Sequence, residues 1–330
     1  MGLTTESILF LAETWRQGPP VRSVLTLGRQ DLFVPLERLE TILRAHSLWP
    51  EGAESGAFRK TLKRAAWRTA ALFRWMGAIE VKACDASAYE GADLIHDLNQ
   101  PFPAAWEQQF DLVIDGGTLE HVFNVPVALA NAMRAARPGG RVVLFTPGNN
   151  YCGHGFYQFS PELFWRVFAE PNGFAIERLH AMVDTAGFSS FLGLRYPFPI
   201  RGERHAVADP AAVRERVLLV NDSPVLLFVE ARKQAHVIPF ASAPQQSDYT
   251  VHWQDNARPE PLRQSGFRAR IAAGLKRVLP ERTAREALPA VLRWIDLGRE
   301  RRFRRALSFG NRAHYQPVHP TVRPPEEPAP

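Results

Sequence analysis

Residues 110–168, FDLVIDGGTLEHVFNVPVALANAMRAARPGGRVVLFTPGNNYCGHGFYQFSPELFWRVF, decide the fold. Residues 110–114 are a short apolar run that stops at Asp115 and the pair Gly116-Gly117. Residues 125–137 then carry apolar positions at helical spacing, and the breaker Pro138-Gly139-Gly140 leads into a second apolar run over 141–146. Strand, helix and strand in this order make a βαβ unit. Continuous apolar strands flanking an amphipathic helix belong in a parallel sheet covered on both faces, and such sheets take ligands beyond the carboxyl ends of their strands. Those ends read Asp115-Gly116-Gly117 and Pro147-Gly148-Asn149-Asn150.

Outward from this unit the same alternation continues. Upstream, residues 7–17 read as a helix and 21–27 as a strand that ends at Gly28. A helix opens at Pro35, with Leu36, Leu39, Ile42 and Leu43 on one face. The spacing of Phe58, Leu62, Thr69, Leu72, Phe73 and Met76 predicts one helix over 58–76, ended by Gly77, and a strand follows over 79–84. The interval from Gly28 to Asp85 is far longer than the roughly 20 residues of a simple first crossover, so residues 34–77 read as a helical insertion. Conversely, only residues 86–91 precede the next strand, whereas a parallel crossover takes about a dozen or more residues. Either the usual helix is missing or that strand is placed differently. Downstream, 174–183 and 225–231 read as further strands.

Beyond them Pro, Gln and Ser gather over 239–248, as in a linker. Phe267, Ile271, Leu275 and Val278, then Leu288, Leu292 and Ile295, recur at helical spacing, and arginines crowd 299–305. From Pro317 the composition is that of a disordered end. The expected organisation is a sheet domain over 1–234 and a linker with a basic helical extension over 235–330.

Charge divides the same way. The net charge is +6, yet residues 235–330 hold 16 Lys and Arg against 9 Asp and Glu, leaving 24 against 25 in the rest. A near-neutral sheet domain gives no reason to expect nucleic acid, while the basic extension would suit an anionic membrane surface, an acidic protein or nucleic acid. No apolar run approaches the roughly 18 residues of a membrane helix, and the start lacks a basic leader, so a cytoplasmic protein is expected. Cys84 and Cys152 have no metal-type spacing, and no metal cluster is expected.

The motif Leu119-Glu120-His121-Val122, followed by the Arg-Pro-Gly-Gly-Arg turn at 137–141, resembles the class I S-adenosylmethionine-dependent methyltransferases. The likeness extends through the first strand to Gly28, through residues 81–85 and 96–98, and into the last two strands, over about residues 20–234. It implies a Rossmann-like sheet with helices on both faces and methyl transfer from S-adenosylmethionine to an oxygen or nitrogen of a small molecule. The segments 85–99 and 153–164 further resemble methyltransferase-like proteins of bacterial polysaccharide clusters, which implies a glycan precursor as acceptor.

Carried onto this chain, the resemblance puts Asp85 on the ribose hydroxyls, Asp97 with Leu98 at the adenine, and Gly28, Asp115, Gly116 and Gly117 around the cofactor. Each also has a plain structural reading: Asp85 as an acid opening a turn, Asp97 as an Asx turn before Pro101, and Asp115-Gly116-Gly117 as a tight strand-to-helix turn. Where the family has several glycines after the first strand, this chain has Gly28-Arg29-Gln30-Asp31. Histidine titrates near neutrality and can take a proton from a hydroxyl or amine. His121, in the first turn of the helix after the 110–114 strand, where it could instead brace a neighbouring loop, and His154, in the glycine-flanked aromatic loop 153–159, are the candidate bases, with Tyr157 beside them facing the acceptor. The rival reading is a non-catalytic scaffold on the same fold. A nicotinamide enzyme fits less well, because the three-glycine phosphate turn is absent.

Overall fold

A computed structural model describes residues 2–183, 203–250 and 305–319. The chain divides into two compact units, one of Met1–Val207, Asp222–Pro244 and Pro317–Pro330, the other of Ala208–Asn221 and Gln245–Gln316. The predicted tail helices over 267–278 and 288–295 lie outside the described residues. Among the described residues no helix is long and apolar enough to cross a membrane.

The first unit is built on one large sheet. Its parallel strands are β2 (Ser23–Leu27), β4 (Glu80–Asp85), β5 (Leu94–Ile95), β6 (Phe110–Asp115) and β7 (Ala136–Asn149). Antiparallel strands β8 (Phe174–Val183), β9 (Arg204–Val207) and β10 (Val225–Lys233) complete it. Across the sheet the order of these strands is β9-β8-β10-β7-β6-β2-β4-β5. A separate two-stranded sheet pairs β1 (Gly2–Thr4) with β3 (Asp31–Phe33). The chain turns one way from β2 to β4 and the other way to β6, and that reversal opens a crevice at their carboxyl ends. There Leu27 aligns with Cys84 on one side and Asp115 on the other. The expected α/β sheet is therefore present, and all six residues of β6 are buried, as a strand covered on both faces requires.

Helix α1 (Thr5–Gln17) covers one face. Thr4 caps it by accepting a hydrogen bond from the Ser7 amide at 3.5 Å, a contact worth about 1 kcal/mol. Phe10 meets Phe145 and Phe228 edge-on, at 5.8 and 5.6 Å, and Trp15 stacks on Phe73 while its indole N–H donates to the Met76 carbonyl at 2.8 Å. Helices α2 (Leu36–Ala45), α3 (Ala53–Arg64) and α4 (Thr69–Trp75) form the insertion and share this core. Charges join α1 to the sheet as well: Arg178 reaches Glu13 at 2.5 Å and Glu230 at 2.5 Å, Arg141 reaches Glu230 at 3.2 Å, and Arg204 reaches Glu13 at 3.1 Å. Helix α5 (Val125–Ala135) follows β6, and the buried Lys233 ammonium donates to the Met133 and Ala136 carbonyls at its end, at 2.9 and 2.8 Å. Ser160 followed by Pro161 predicts a capped helix start, and helix α6 (Pro161–Val167) begins there, with Ser160 Oγ accepting from the Glu162 amide.

Two expectations need correction, and one open alternative is decided. The single helix over 58–76 is two helices, because Ala66 and Trp67 take left-handed φ of 49° and 59°. The broken stretch pairs instead with the chain after β2: the Leu32 amide donates to the Trp67 carbonyl and the Thr69 amide to the Gln30 carbonyl. Strand β5 does lie beside β4 in parallel, with Cys84 opposite Leu94 and Asp85 opposite Ile95, so the intervening helix is missing and the strand is not displaced. A two-residue edge strand needs no helical return, and the turn is closed by Asp93, which accepts from the Ala83 amide at 2.8 Å. Finally, Pro138-Gly139-Gly140 does not precede β7 but lies inside it as an irregularity in its pairing with β6. Gly140 is required there, since a Cβ would sit 2.9–3.0 Å from three carbonyl oxygens.

Candidate active site

The site is assembled from the turns that leave β2, β4, β6 and β7. Gly28 has φ of +71°, open to glycine, and its amide donates to the Cys84 carbonyl at 2.7 Å, which stitches the β2 and β4 ends together. Thr118 Oγ1 donates to the Leu27 carbonyl at 2.7 Å and ties the β6 turn to β2. Within that turn Asp115 Oδ1 accepts from the Thr118 amide at 3.0 Å, and Gly117 takes φ of +97°. The Asp115 carboxyl is fully buried. Burial and then the neighbouring Glu120 carboxylate push its pKa well above the usual range, against backbone donors from Thr118, Leu119 and Gly117.

Glu120 is the second buried acid, and burial pushes it up to about 7. Its Oε2 accepts from Thr146 Oγ1 of β7 at 3.3 Å, while Oε1 lies 3.6 Å from His154 Nε2. Loop 153–157 reaches it because the Phe156 amide donates to the Glu120 carbonyl at 2.8 Å. Gly155 permits that approach: a Cβ there would stand 2.7 Å from the same carbonyl oxygen. His121 faces His154 with ring centres 5.3 Å apart, and partial burial, then the second imidazole, lowers its pKa. The two candidate bases thus share one cluster with Glu120.

The other predicted residues take different positions. Tyr157 donates its hydroxyl to the Phe123 carbonyl at 2.8 Å, so it braces the loop against the turn after β6. Asp97 accepts from the Asn99 amide at 2.9 Å and Nδ2 at 2.8 Å; these bonds hold its exposed carboxyl below the usual range and make the Asx turn. Asn99 in turn accepts from the Asn124 amide at 2.8 Å, so the loop after β5 is linked to the start of α5. Leu98 is buried, and Asp85 is half-buried at the end of β4. Phe123 and Phe156 stand exposed on the rim, edge to face at 6.0 Å.

A nucleoside sulfonium would need acceptors at this crevice for its ribose and ammonium groups, and the residues present supply them. Asp85 offers a carboxylate at the β4 end. Gln30 Oε1 is buried against Gly116, and neither it nor Asp115 Oδ2 has a hydrogen-bond partner among the described residues. Gln30 turns its amide nitrogen to the Leu27 carbonyl at 2.8 Å, and the Arg29 guanidinium donates to the Gly91 carbonyl. The Gln30 side chain therefore packs against the Gly116 turn.

Glu120 was missed by sequence reasoning, although it sits inside the motif that carries the resemblance. Its signal was an acid between two residues destined for the core, Leu119 and Val122.

The sheet order and the switch-point crevice define a doubly wound α/β domain. Residues 52–144 match the family model described as a methyltransferase domain. The match opens in α3 and leaves out β2 and Gly28, where this chain departs from the glycine-rich pattern. No curated protein matches the sequence. Among solved structures, the YcgJ protein of Bacillus subtilis is 12% identical with a TM-score of 0.37, over 70% of this chain and 100% of its own. An S-adenosylmethionine dependent methyltransferase of Mesorhizobium loti is 16% identical, TM-score 0.33, over 69% of this chain and 98% of its own. The 1,6-didemethyltoxoflavin-N1-methyltransferase of Burkholderia thailandensis, solved with that substrate and S-adenosylhomocysteine, is 14% identical, TM-score 0.33, over 70% and 78%. Such distant likenesses add nothing to what the sheet and the matched segment establish.

Proposed function

We propose that the protein transfers a methyl group from S-adenosylmethionine to a hydroxyl or amine of a small molecule or glycan precursor. The observation that carries this reading is the cluster of His154, His121 and Glu120 at the carboxyl edge of β6 and β7, above a rim of cofactor-type acids. The cofactor, when bound, supplies a methyl group on a sulfonium. Asp85 would hold its ribose, the Asp97–Leu98 turn its adenine, and Gly28 with the Asp115-Gly116-Gly117 turn its methionine end. Gln30 Oε1 and Asp115 Oδ2 are the unpartnered atoms available to its ammonium group.

His154 is the proton acceptor in this reading. Half of its side chain is exposed, so a hydroxyl can reach it, and its Nε2 lies 3.6 Å from Glu120 Oε1. Phe123 and Phe156 give the acceptor an apolar surface to lie on, which suits a flat ring or the carbon face of a sugar. A scaffold would need neither the histidine cluster nor the exposed aromatic pair.

Calorimetric titration with S-adenosylhomocysteine tests the reading. One equivalent should bind, and Asp85→Ala should weaken it. No heat and no thermal shift at millimolar concentration would return the protein to the scaffold reading. With an acceptor in hand and metal removed by chelation, His154→Ala should lower turnover by about 100-fold to 10,000-fold with the nucleoside affinity unchanged. Equal losses of both would mark loop 153–157 as a cover for the cofactor.

A further inference from the structure

We infer that Glu120, His121 and His154 form a binding site for a single divalent cation of the zinc type. One carboxylate oxygen and one ring nitrogen from each histidine lie within 4.8 Å of one another. The residues come from the two loops that the fold locks together, the turn after β6 and loop 153–157 after β7. The lock is the pair of bonds from the Phe156 and Tyr157 amides to the Glu120 carbonyl, at 2.8 and 3.3 Å.

The donor set is two imidazole nitrogens and one carboxylate oxygen. Zinc takes such ligands at about 2.0–2.2 Å, and open sites with three protein ligands leave a position for water or substrate. Magnesium and calcium prefer all-oxygen sets, so the nitrogen donors select against them. Metal–ligand distances near 2.1 Å place neighbouring donors roughly 3.0–3.6 Å apart. Glu120 Oε1 and His154 Nε2, at 3.6 Å, already meet that spacing. The remaining contraction falls on exposed imidazoles, which are free to turn. Glu120 is the fixed member, with only 2% of its side chain exposed and its second oxygen held by Thr146 Oγ1 at 3.3 Å, as an outer partner orients a ligating carboxylate.

The open positions face solvent at the strand ends, where an acceptor oxygen would sit. A bound cation would orient that oxygen and make its hydroxyl more acidic, and its proton would leave to water. His154 would then be a ligand and no longer the base. That consequence rests on the methyl-transfer reading, whereas the site itself does not.

The test uses the full chain without a histidine tag, stripped by chelation. Zinc binding is measured by equilibrium dialysis, and Co(II) titration is followed through its visible d–d bands. One equivalent should bind and give the intense bands of low coordination. His121→Ala and His154→Ala should each weaken binding by at least about 10-fold to 100-fold, the loss typical of disturbing even a second-sphere partner. Both residues are surface-exposed, so these variants report on the site even where Glu120→Gln fails to fold. His236→Ala, outside the cluster, should bind as the parent does. Absence of binding, or binding that does not saturate and is indifferent to all three substitutions, overturns the site. S-adenosylhomocysteine titration of the same samples separates the two readings, since nucleoside binding without metal binding defeats only this one.

Discussion

At the scale of single residues, burial decides what each polar group can do. Gly155 matters because the Glu120 carbonyl fills the space a Cβ would need. Gly155→Ala should push loop 153–157 off the turn and cost about 1–3 kcal/mol in thermal or urea unfolding, as overpacking does. It should also separate His154 from Glu120. His180 shows burial acting on charge. Removal from water, then Arg204 and Arg178, lower its pKa to about 4, with Glu13 opposing, and the Phe10 ring packs edge-on at 5.6 Å. The fold keeps this imidazole neutral, whereas the unfolded chain protonates it near 6.5. Between those values the unfolded state binds the extra proton, so stability falls as pH is lowered from about 6.5 to about 4 and levels off below. The loss should reach up to about 3 kcal/mol, and His180→Phe should flatten that part of the curve in denaturant titrations across pH. None of this was legible from sequence, because Glu120 and His180 are ordinary polar letters until tertiary neighbours remove their water.

At the scale of elements, hydrophobic period predicted helices and strands well and their interruptions poorly. The positions of Phe58, Leu62, Thr69, Leu72 and Phe73 continue one helical stripe across the break, and all five are buried as the period implies. Nothing in that period reveals that Ala66 and Trp67 leave the helix and that residues 67–69 pair with residues 30–32. Their left-handed backbone costs an L-residue roughly 1–2 kcal/mol that glycine avoids. Ala66→Gly should therefore stabilise the protein by up to about 1 kcal/mol once glycine's greater unfolded entropy is deducted, and Ala66→Val should destabilise it; melting temperatures of the pair check the sign. The same limit applies at Pro138-Gly139-Gly140, whose residues read as a stop but serve as an irregularity inside β7.

At the scale of the molecule, the sheet unit contains its own core and its own site. Strand β10 ends at Lys233, and the following residues still pack on this unit, the Phe240 amide donating to Asn172 at 3.0 Å. We expect a chain ending at Pro244 to stay soluble and unfold cooperatively, followed by circular dichroism. Aggregation of that chain alone would show that the second unit is needed for folding. By itself the sequence determined the βαβ core, the parallel order implied by buried apolar strands, and the capped start of α6. These follow from local period and turn chemistry, which a chain carries within a few residues. Only the tertiary structure decided that Gln30 packs against Gly116, that Tyr157 braces a loop, and that Glu120 meets His154 across 34 positions of chain. Those facts depend on which loops the sheet order brings side by side, and on how much water is left between them.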